Sequence, residues 1–292
     1  MPASVPESKE PEGVWGALFN EQSSALWRPL IEINERAKLR ASRPAVAEVF
    51  TGSNFTENQI GFYAGGVTGA LGPHLNLDGL KLRAVYGRSY YQYRSKFQIA
   101  AGKVDALFIG ESRFYEAMIG YEFRLQGIIF KAYGGMVHEL NHIDPNDAEN
   151  KLQGDLTGAK ALLEVWREFD GGHWFSGYGA YTTSTENYTI HGRLGTSLSS
   201  FMDVGLEAGS FGNQQYDALR LGAFGKLKLG DGVITVSGGV SGDYDQPDSV
   251  YGSVQYFTKL YSPIEWGWDK EADSEDGDEG KSKSLLDHLF RW

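Results

Sequence analysis

Strict alternation of apolar and polar side chains over long segments is the feature that most constrains what this chain can fold into. Between residues 113 and 125, Tyr115 and Ile119 share one face, and Glu116 and Glu122 share the other. Such segments run for 10 or more residues, whereas strands in soluble proteins average about 5–6. A strand tilted across a bilayer needs about 9–11 residues. The pattern therefore predicts strands with one face toward lipid and the other toward a barrel interior.

The alternation recurs often enough to predict about 12 strands. The predicted segments are 46–52, 58–70, 79–94, 103–125, 127–141, 154–167, 173–184, 188–199, 202–212, 216–228, 233–242 and 249–260. An even number is what bacterial outer-membrane barrels require. The chain is accordingly predicted to be all-β and to form an antiparallel, up-and-down transmembrane β-barrel.

The connections between these segments differ in length in a regular way. Tight turns are predicted at 125–127, 170–172, 199–201 and 230–232. Longer polar loops are predicted at 95–102, 142–153, 212–215 and 243–248. Short periplasmic turns and longer extracellular loops are typical of outer-membrane barrels. With an even strand count, both ends of the barrel segment are expected on the side of the short turns.

Composition argues against several other classes of protein. Gly contributes 38 of the 292 residues and sits singly among aromatic residues, a share of about 13% against a usual 7% or so. No Cys is present, so neither a disulfide framework nor a thiolate metal site can form. The net charge of −11 argues against a nucleic acid partner. No run of 18 apolar residues predicts a transmembrane helix.

Three regions follow from the distribution of residues. Residues 1–45 are polar and are predicted to form an N-terminal periplasmic extension with an amphipathic helix around 23–39; residues 46–261 form the barrel. Residues 262–292 form an acidic tail, predicted to be disordered up to a short helix at 285–292. An exported chain should begin with a basic patch and an apolar run of 7–15 residues. Because residues 1–45 lack this pattern, we expect that the export signal was removed or that the start is misassigned.

Charged side chains of both signs occupy the inferred interior face of the strands. They are Lys81, Arg83, Glu116, Glu122, Arg124, Lys131, Lys160, Glu164, Arg193, Glu207, Arg220, Lys226 and Lys228. Charges removed from water need partners, so we predict a network of ion pairs across the interior. With about 12 strands, such a network favours a narrow or partly occluded lumen.

One motif, His-Glu-Leu-Asn-His at 138–142, has the form of a zinc-protease signature. That signature works on a helix, where histidines at i and i+4 share a face and the glutamate activates a bound water. Here the preceding residues are β-like and include the glycine pair 134–135, Pro145 follows closely, and the candidate third ligands are Glu164 and Glu168. We interpret the motif as a coincidence where a strand meets a loop, and we predict no metal or other cofactor.

A hydrolase or acyltransferase site is the second enzymatic alternative. His191, Ser197 and Glu207 could meet inside a barrel mouth, but no G-x-S-x-G elbow accompanies them. The glycine pairs 65–66 and 134–135 are not phosphate loops, because neither precedes a helix or a Lys-Ser/Thr pair. They favour strand bending or close packing. No catalytic residue is predicted.

Four aromatic residues cluster where the third predicted strand approaches its outer loop. They are Tyr90, Tyr91, Tyr93 and Phe97. One interpretation is a surface on which sugar rings stack. The other, which we favour, is the aromatic girdle that barrels commonly place at the membrane interface.

Several short segments resemble the bacterial cellulose biosynthesis protein BcsS family. They are FTG at 50–52, GFYAGG at 61–66, LDGLKLR at 77–83, YYQYR at 90–94, DPND at 144–147, LQG at 152–154 and YDALRLG at 216–222. The likeness covers about 215 of the 292 residues. It implies an outer-membrane barrel associated with cellulose export or its regulation in alphaproteobacteria, and it brings no established catalytic residues.

The predicted function is a non-enzymatic outer-membrane barrel that is accessory to secretion of cellulose or another exopolysaccharide. The expected partners are outer-membrane lipid, the cellulose-secretion machinery at the periplasmic ends, and the glucan chain at the loops. Three alternatives stay open: a barrel enzyme acting on lipid or peptide, a small porin-like channel, and a soluble β-sandwich that serves as a binding module.

Overall fold

Twelve antiparallel strands close into one barrel in a computed structural model, which describes residues 29, 32–34, 44–72, 74–99, 102–147, 150–242 and 249–262. Each strand pairs with the strands before and after it in sequence, and the first pairs with the last. The strands are β1 (Ala45–Thr56), β2 (Gln59–Ala70), β3 (Gly79–Ile99), β4 (Gly102–Leu125), β5 (Ile128–Asp144), β6 (Gly154–Glu168), β7 (His173–Thr182), β8 (Asn187–Ser197), β9 (Met202–Gly212), β10 (Asp217–Leu229), β11 (Gly232–Gly242) and β12 (Ser249–Tyr261). The predicted fold class and strand count are confirmed, and the soluble β-sandwich is wrong.

The two ends of the barrel differ in what they carry. The terminal end is where β1 begins and β12 ends, and its connections are 71–78, 126–127, 169–172, 198–201 and 230–231. The loop end carries the connections 57–58, 100–101, 145–153, 183–186, 213–216 and 243–248. The terminal end thus holds the predicted tight turns and both ends of the barrel segment, together with one eight-residue connection at 71–78.

The loop predicted at 95–102 is wrong, because strand pairing continues through most of it. β3 and β4 stay in register as far as Ile99 and Gly102, so only two residues of the sequence lie between the strands. Beyond Tyr91 the hairpin rises past the end of β2. Two strands of one hairpin can pair outside the barrel wall because each satisfies the backbone groups that face it and the remaining groups are open to water. Polar composition alone did not reveal this extension.

Apolar and polar side chains are distributed in the opposite way to a soluble protein. The outward faces carry large apolar side chains, such as Ile119 at 52% and Leu163 at 64% exposure. The inward faces carry buried charges, among them Lys81 at 1% and Glu207 at 2% exposure. A lipid-facing apolar band around a polar interior is the distribution of a transmembrane barrel. Among the described residues, no helix is long and apolar enough to cross a membrane.

Of the two glycines at 134–135 in β5, only Gly135 lies where close packing leaves no room for a side chain. A Cβ placed on Gly135 would lie 2.1 Å from the carbonyl oxygen of Ala117 and 2.6 Å from the Cα of Met118, both on β4. A Cβ on Gly134 would meet nothing within 4 Å. Met118, the β4 partner of Gly135, packs with Tyr133 and Leu162 in a small apolar cluster inside the barrel.

The regions that flank the barrel are described only in part. Within the helix predicted around 23–39, Pro29 and residues 32–34 are helical, and the other positions lie outside the described residues. The side-chain oxygen of Asn34 accepts a hydrogen bond of 2.7 Å from the Gly230 amide in the β10–β11 turn. The acidic tail beyond Ser262 lies outside the described residues.

Candidate functional site

Some ion pairs join strands that are not neighbours in the sheet, and these pairs define the interior. Lys131 Nζ on β5 lies 3.6 Å from Glu48 Oε1 on β1, although three strands separate β1 from β5. At about 4.8 Å between neighbouring strands, the path along the wall is about 19 Å. A contact over that span must run through the lumen. The barrel is therefore bridged at this level.

Six charged residues near the terminal end form what we call the terminal-end network. They are Glu48, Lys81, Arg83, Glu122, Lys131 and Glu164. Lys131 Nζ is 3.9 Å from both Glu122 and Glu164, and Arg83 Nη1 is 3.3 Å from Glu164. Three carboxylates thus face three cations across β1, β3, β4, β5 and β6. This balance offsets much of the free-energy cost of removing the charges from water.

The β2–β3 connection is fastened to this network. Lys81 Nζ donates hydrogen bonds of 2.7 Å and 2.8 Å to the carbonyl oxygens of Leu75 and Leu77. Arg124 forms ion pairs with Asp78 at 2.7 Å and with Glu122 at 2.6 Å. A longer contact of 3.5 Å reaches the carbonyl oxygen of His74, and Glu122 Oε2 lies 4.0 Å away, so backbone carbonyls and one carboxylate surround the three donors of the ammonium. The connection therefore lies against the terminal end of the lumen.

A second set of contacts, the Glu207 network, braces the other half of the barrel. Glu207 on β9 accepts hydrogen bonds of 2.8 Å from Arg193 Nε and 2.6 Å from Tyr251 Oη, and lies 3.5 Å from His191 Nε2. Arg193 also donates to Gln255 of β12 at 3.2 Å. Two strands lie between β9 and β12, and three lie between β8 and β12. These contacts also cross the interior.

Charge and aromatic rings meet around Asp203. Its carboxylate lies 2.8 Å from Lys228 and 3.9 Å from Lys226. The Lys226 ammonium stands 3.9 Å from the centre of the Trp174 ring and 5.3 Å from that of Trp166. Because Trp166 belongs to β6 and Lys226 to β10, this contact spans the lumen as well.

The remaining predicted charges also have partners in the described chain. Lys160 on β6 pairs with Glu116 on β4. The Arg220 guanidinium lies 4.2 Å from the centre of the Tyr251 ring and 5.1 Å from that of Phe211. All thirteen residues named from the alternation therefore contact an oppositely charged group or an aromatic face, as a bracing network requires.

Two important partners escaped the sequence reasoning for different reasons. Glu48 is two residues from outward-facing Val46, so strict alternation would place it on the outward face. The register of β1 against β12, however, shifts between Ala45 and Ala47. That irregularity turns Glu48 inward, and alternation alone does not reveal such a bulge. Asp203 stands four residues before Glu207 on the same face of β9, so the alternation did contain its signal.

A cavity of about 620 Å³, here named the mouth cavity, opens at the loop end. Tyr91 and Tyr93 line it from β3, and Phe211 and Tyr216 line it from β9 and the connection that follows. Eight Asn and Gln side chains also belong to its described lining. Within that described lining, Glu139 and Asp217 are the charged residues. The chemistry of this end is therefore aromatic and amide-rich, in contrast to the terminal end.

Strand alternation divides the predicted aromatic cluster between two faces. Tyr90 points outward, 42% exposed, with the Arg88 guanidinium 4.7 Å from its ring centre. Tyr91 and Tyr93 line the mouth cavity, with ring centres 6.2 Å apart. Phe97 lies on β3 opposite Val104, and its side chain is outside the described residues. Stacking of sugar rings therefore stays a proposal for Tyr91 and Tyr93, and the aromatic girdle stays a proposal for Tyr90.

Tyr93 is fixed by a loop from the other side of the mouth. Its hydroxyl donates a hydrogen bond of 2.6 Å to Asp147 and accepts one of 3.0 Å from Asn150, and its ring stacks on Phe108 with centres 5.1 Å apart. Burial, and then the hydrogen bond to Asp147, raises the pKa of Tyr93 to about 12. The phenol therefore stays protonated at neutral pH and acts as the donor to the carboxylate.

The zinc-protease-like motif at 138–142 lies wholly within β5 rather than where a strand meets a loop. Four residues of strand separate His138 from His142 by about 13 Å, too far to share a metal ion. His138 instead lies 2.9 Å from Thr157 Oγ1 and 3.5 Å from Asp155. No group of three or more His, Asp or Glu side chains in the described part of the chain is arranged to hold a metal ion.

The three residues considered for a hydrolase do not form a triad. His191 lies beside Glu207, at 3.5 Å. Ser197 is six residues further along β8, about 20 Å away, and donates to Asp203 at 2.8 Å. A nucleophile needs its base within hydrogen-bond reach. These side chains belong to two separate bracing networks.

Several solved structures align with most of this chain at low sequence identity. The KdgM porin aligns over 73% of this chain and 99% of its own, with 9% identity and a TM-score of 0.42. The COG4313 outer membrane channel from Pseudomonas putida F1 aligns over 75% and 96%, with 10% identity and a TM-score of 0.44. The transport unit of the autotransporter AIDA-I from Escherichia coli aligns over 80% and 98%, with 9% identity and a TM-score of 0.45.

A search of curated proteins found no match. The model of one protein family, described as cellulose biosynthesis protein BcsS, matches residues 48–260, which run from the buried glutamate of β1 almost to the end of β12. The match thus covers all twelve strands, apart from the outer ends of β1 and β12, and well over half of the chain. The chain belongs to the cellulose biosynthesis protein BcsS family.

Proposed function

We propose that this protein is a non-enzymatic outer-membrane barrel that assists cellulose secretion by holding a segment of the emerging glucan in its mouth cavity. In this proposal the loop end faces the outside of the cell, and the terminal end faces the periplasm and the secretion machinery. The family membership supports the link to cellulose. The position of both barrel termini at one end, and the rise of the β3–β4 hairpin past β2 at the other, support the orientation.

The chemistry of the mouth cavity is the observation that carries the proposal. A neutral sugar ring presents an apolar face, which packs on aromatic side chains such as Tyr91 and Tyr216. Its hydroxyl groups both donate and accept hydrogen bonds, as amide side chains also do. A lining rich in aromatic and amide groups, with two charged residues among its described members, suits an uncharged glucan better than a uronate or a phosphate.

The bridged interior below the cavity favours binding over passage. The terminal-end network and the Glu207 network each join strands on opposite sides of the lumen. A glucan chain moving through the barrel would have to separate those charge pairs. The arrangement therefore favours a role at the cell surface, with the polymer contacting the mouth only.

Binding of a soluble β-1,4-gluco-oligosaccharide to the full-length protein in detergent tests the proposal directly. We expect cellohexaose to bind the wild type and a charged oligouronate not to bind. Tyr91→Ala and Tyr216→Ala should each weaken binding about 2- to 10-fold, the loss of one aromatic contact. Tyr121→Ala, at an outward position that is 49% exposed, is the matched control and should leave affinity unchanged. Equal affinity in all four proteins would rule out the cavity as the glucan site.

Sugar entry into liposomes separates this function from that of a small porin-like channel. Liposomes that contain the folded protein should admit glucose and cellobiose no faster than protein-free liposomes. Rapid swelling in either sugar would favour the channel instead.

The cellular role is tested by deleting the gene while leaving the cellulose synthase intact. The amount of cellulose or its attachment to the cell surface should change, and the wild-type gene should restore it. Unchanged cellulose under inducing conditions would count against an accessory role.

A further inference from the structure

An outward-facing pair of arginines near the loop end has no role in the interior networks. Arg88 on β3 and Arg113 on β4 are direct cross-strand partners. Their side chains are 39% and 44% exposed, on the same face as the outward-pointing Tyr90 and Tyr115. Like charges placed directly opposite each other destabilise a sheet unless something offsets them.

One carboxylate lies between the two arginines and offsets only half of their positive charge. Glu111 Oε1 is 2.8 Å from Arg88 Nε and 2.5 Å from Arg113 Nε. Asp155, the nearby carboxylate on β6, is instead 3.5 Å from His138. Among the described residues, Glu111 is the carboxylate in contact with either guanidinium, and it engages them through Nε. The cluster therefore carries a net positive charge.

The height of this cluster on the barrel is informative. Arg88 stands nine residues above Gly79, the first residue of β3 at the terminal end. Nine residues span about 30 Å of strand, or about 21–25 Å of height at the tilt typical of such barrels. The apolar band of a transmembrane barrel is about 25 Å tall.

The outward residues below this level are apolar or aromatic on both strands, as at Leu82 and Ile119. Arg88 and Arg113 are the first charges above them on this face of the hairpin. They therefore stand at the upper boundary of the apolar band, where lipid headgroups begin.

We propose that Arg88 and Arg113 together bind a phosphate group of a phosphorylated glycolipid in the outer leaflet. Guanidinium groups bind phosphate through paired N–H donors, and their charge attracts anionic headgroups. Tyr90 and Tyr115 supply the apolar and aromatic surface on which the lipid's sugar and acyl portions rest. The orientation of the barrel is taken from the proposed function, but the site is independent of glucan binding in the mouth cavity.

Retention of lipid by the full-length protein tests this site. Protein in nanodiscs that contain a bisphosphorylated lipid A–type glycolipid is extracted with mild detergent, and bound lipid is counted by native mass spectrometry. We expect the double variant Arg88→Gln/Arg113→Gln to retain about tenfold less glycolipid, as loss of charged hydrogen bonds predicts. The matched control is Arg124→Gln, which removes an arginine from the terminal end and should retain as much as the wild type.

A second variant changes binding in the opposite direction. Glu111→Gln removes the carboxylate that competes for both guanidinium groups, so retention should rise above the wild type. Retention that does not rise would overturn the proposal, because Glu111 and the lipid phosphate would then not compete for the same guanidinium groups. A heat-dependent shift in gel mobility establishes that each variant is folded.

The lipid itself is varied to identify the source of the phosphate. The dephosphorylated glycolipid should be retained by the wild type only to the level of the double variant. Equal retention of both lipids would overturn the proposal. Displacement of the bound glycolipid by millimolar inorganic phosphate would assign the arginines to a free anion and would also overturn it. Cellohexaose binding, measured on the same proteins, should be unaffected throughout.

Discussion

The terminal end and the loop end of the lumen are built on the same strands but from different chemistry. On β3, Lys81 and Tyr91 lie on the same inward face, ten residues apart. Lys81 is buried against Glu122 and the carbonyl groups of the β2–β3 connection, whereas Tyr91 lines an open cavity of about 620 Å³. The role of an interior residue therefore depends on its position along a strand more than on the strand to which it belongs. Residues near the terminal end brace the barrel, and residues near the loop end can bind a ligand.

The physical reason for the division lies in the cost of removing charges from water. Charges inside a narrow lumen are stable only where partners of the opposite sign reach them from across the barrel. At the loop end the described lining of the mouth cavity is mostly neutral, and a neutral hydrogen-bonding group without a partner costs less free energy than an unpaired charge. A barrel of this size can thus be closed over most of its length and still hold a ligand at one mouth.

Removal of a charge from the braced part of the lumen should destabilise the barrel more than any other substitution considered below. Glu207→Gln leaves Arg193 without its carboxylate at a site where the glutamate is 2% exposed. Loss of one partner of a buried pair costs about 3–5 kcal/mol. We expect the free energy of unfolding in lipid vesicles, measured by urea titration, to fall by that amount, with cellohexaose affinity unchanged.

Glu57→Gln is the control for this substitution, because Glu57 is exposed in the β1–β2 turn. It should leave the urea midpoint within error of the wild type. If Glu207→Gln behaved in the same way, the Glu207 network would not be bracing the barrel. If Glu207→Gln abolished sugar binding in folded protein, the two parts of the lumen would not be separable.

The sequence was sufficient for the architecture because the dominant signal is local. Inward and outward residues alternate along each strand, so Glu122 and Tyr121 were assigned to opposite faces without knowledge of the partners. The same alternation named the thirteen interior charges. It could not say which charges meet, because a pair such as Lys131 and Glu48 is set by barrel closure, which brings together strands far apart in sequence.

The mouth cavity was the least predictable part. Its walls combine β3 with the connection that follows β9, and neither segment carries a binding motif. The cluster at 90–97 suggested two functions for one group of residues. Alternation in fact sends Tyr90 outward and Tyr91 inward, a distinction that the interpretation of the cluster as a single unit overlooked.

The neighbouring glycines at 134 and 135 on β5 test how much close packing at an inward position contributes to stability. Gly135→Ala would press its Cβ against the β4 backbone, where the gap is 2.1 Å, so β4 and β5 must separate. Overpacking of this kind costs about 1–3 kcal/mol. Gly134→Ala, one residue earlier, meets nothing within 4 Å and is the matched control.

Urea titration of both glycine variants in vesicles is the measurement. A loss of stability for Gly135→Ala and none for Gly134→Ala is expected. Equal stability of the two variants would contradict the close approach of β4 and β5.

The smallest expected effect is at the mouth, where Tyr93→Phe removes the hydrogen bonds to Asp147 and Asn150 but keeps the aromatic ring. One hydrogen bond contributes about 1 kcal/mol. Protease cleavage within 145–153 at pH 8 should therefore become several-fold faster, while the urea midpoint of the whole barrel stays the same. Cleavage at the wild-type rate would mean that the loop is held by other contacts.

The same tyrosine gives a pH-dependent signal that a difference titration assigns to the loop end. Burial and the Asp147 hydrogen bond raise the Tyr93 pKa to about 12. The folded state therefore holds this proton more tightly than the unfolded chain, so its contribution to stability is complete below pH 10 or so and is lost as the pH rises through about 12. Subtracting the tyrosinate absorbance titration of Tyr93→Phe from that of the wild type should isolate one phenol that titrates near pH 12. Asp147→Asn should move that titration toward pH 10, because the carboxylate no longer favours the protonated phenol. A wild-type phenol that already titrates near pH 10 would show that Tyr93 does not bridge the mouth to the 145–153 loop.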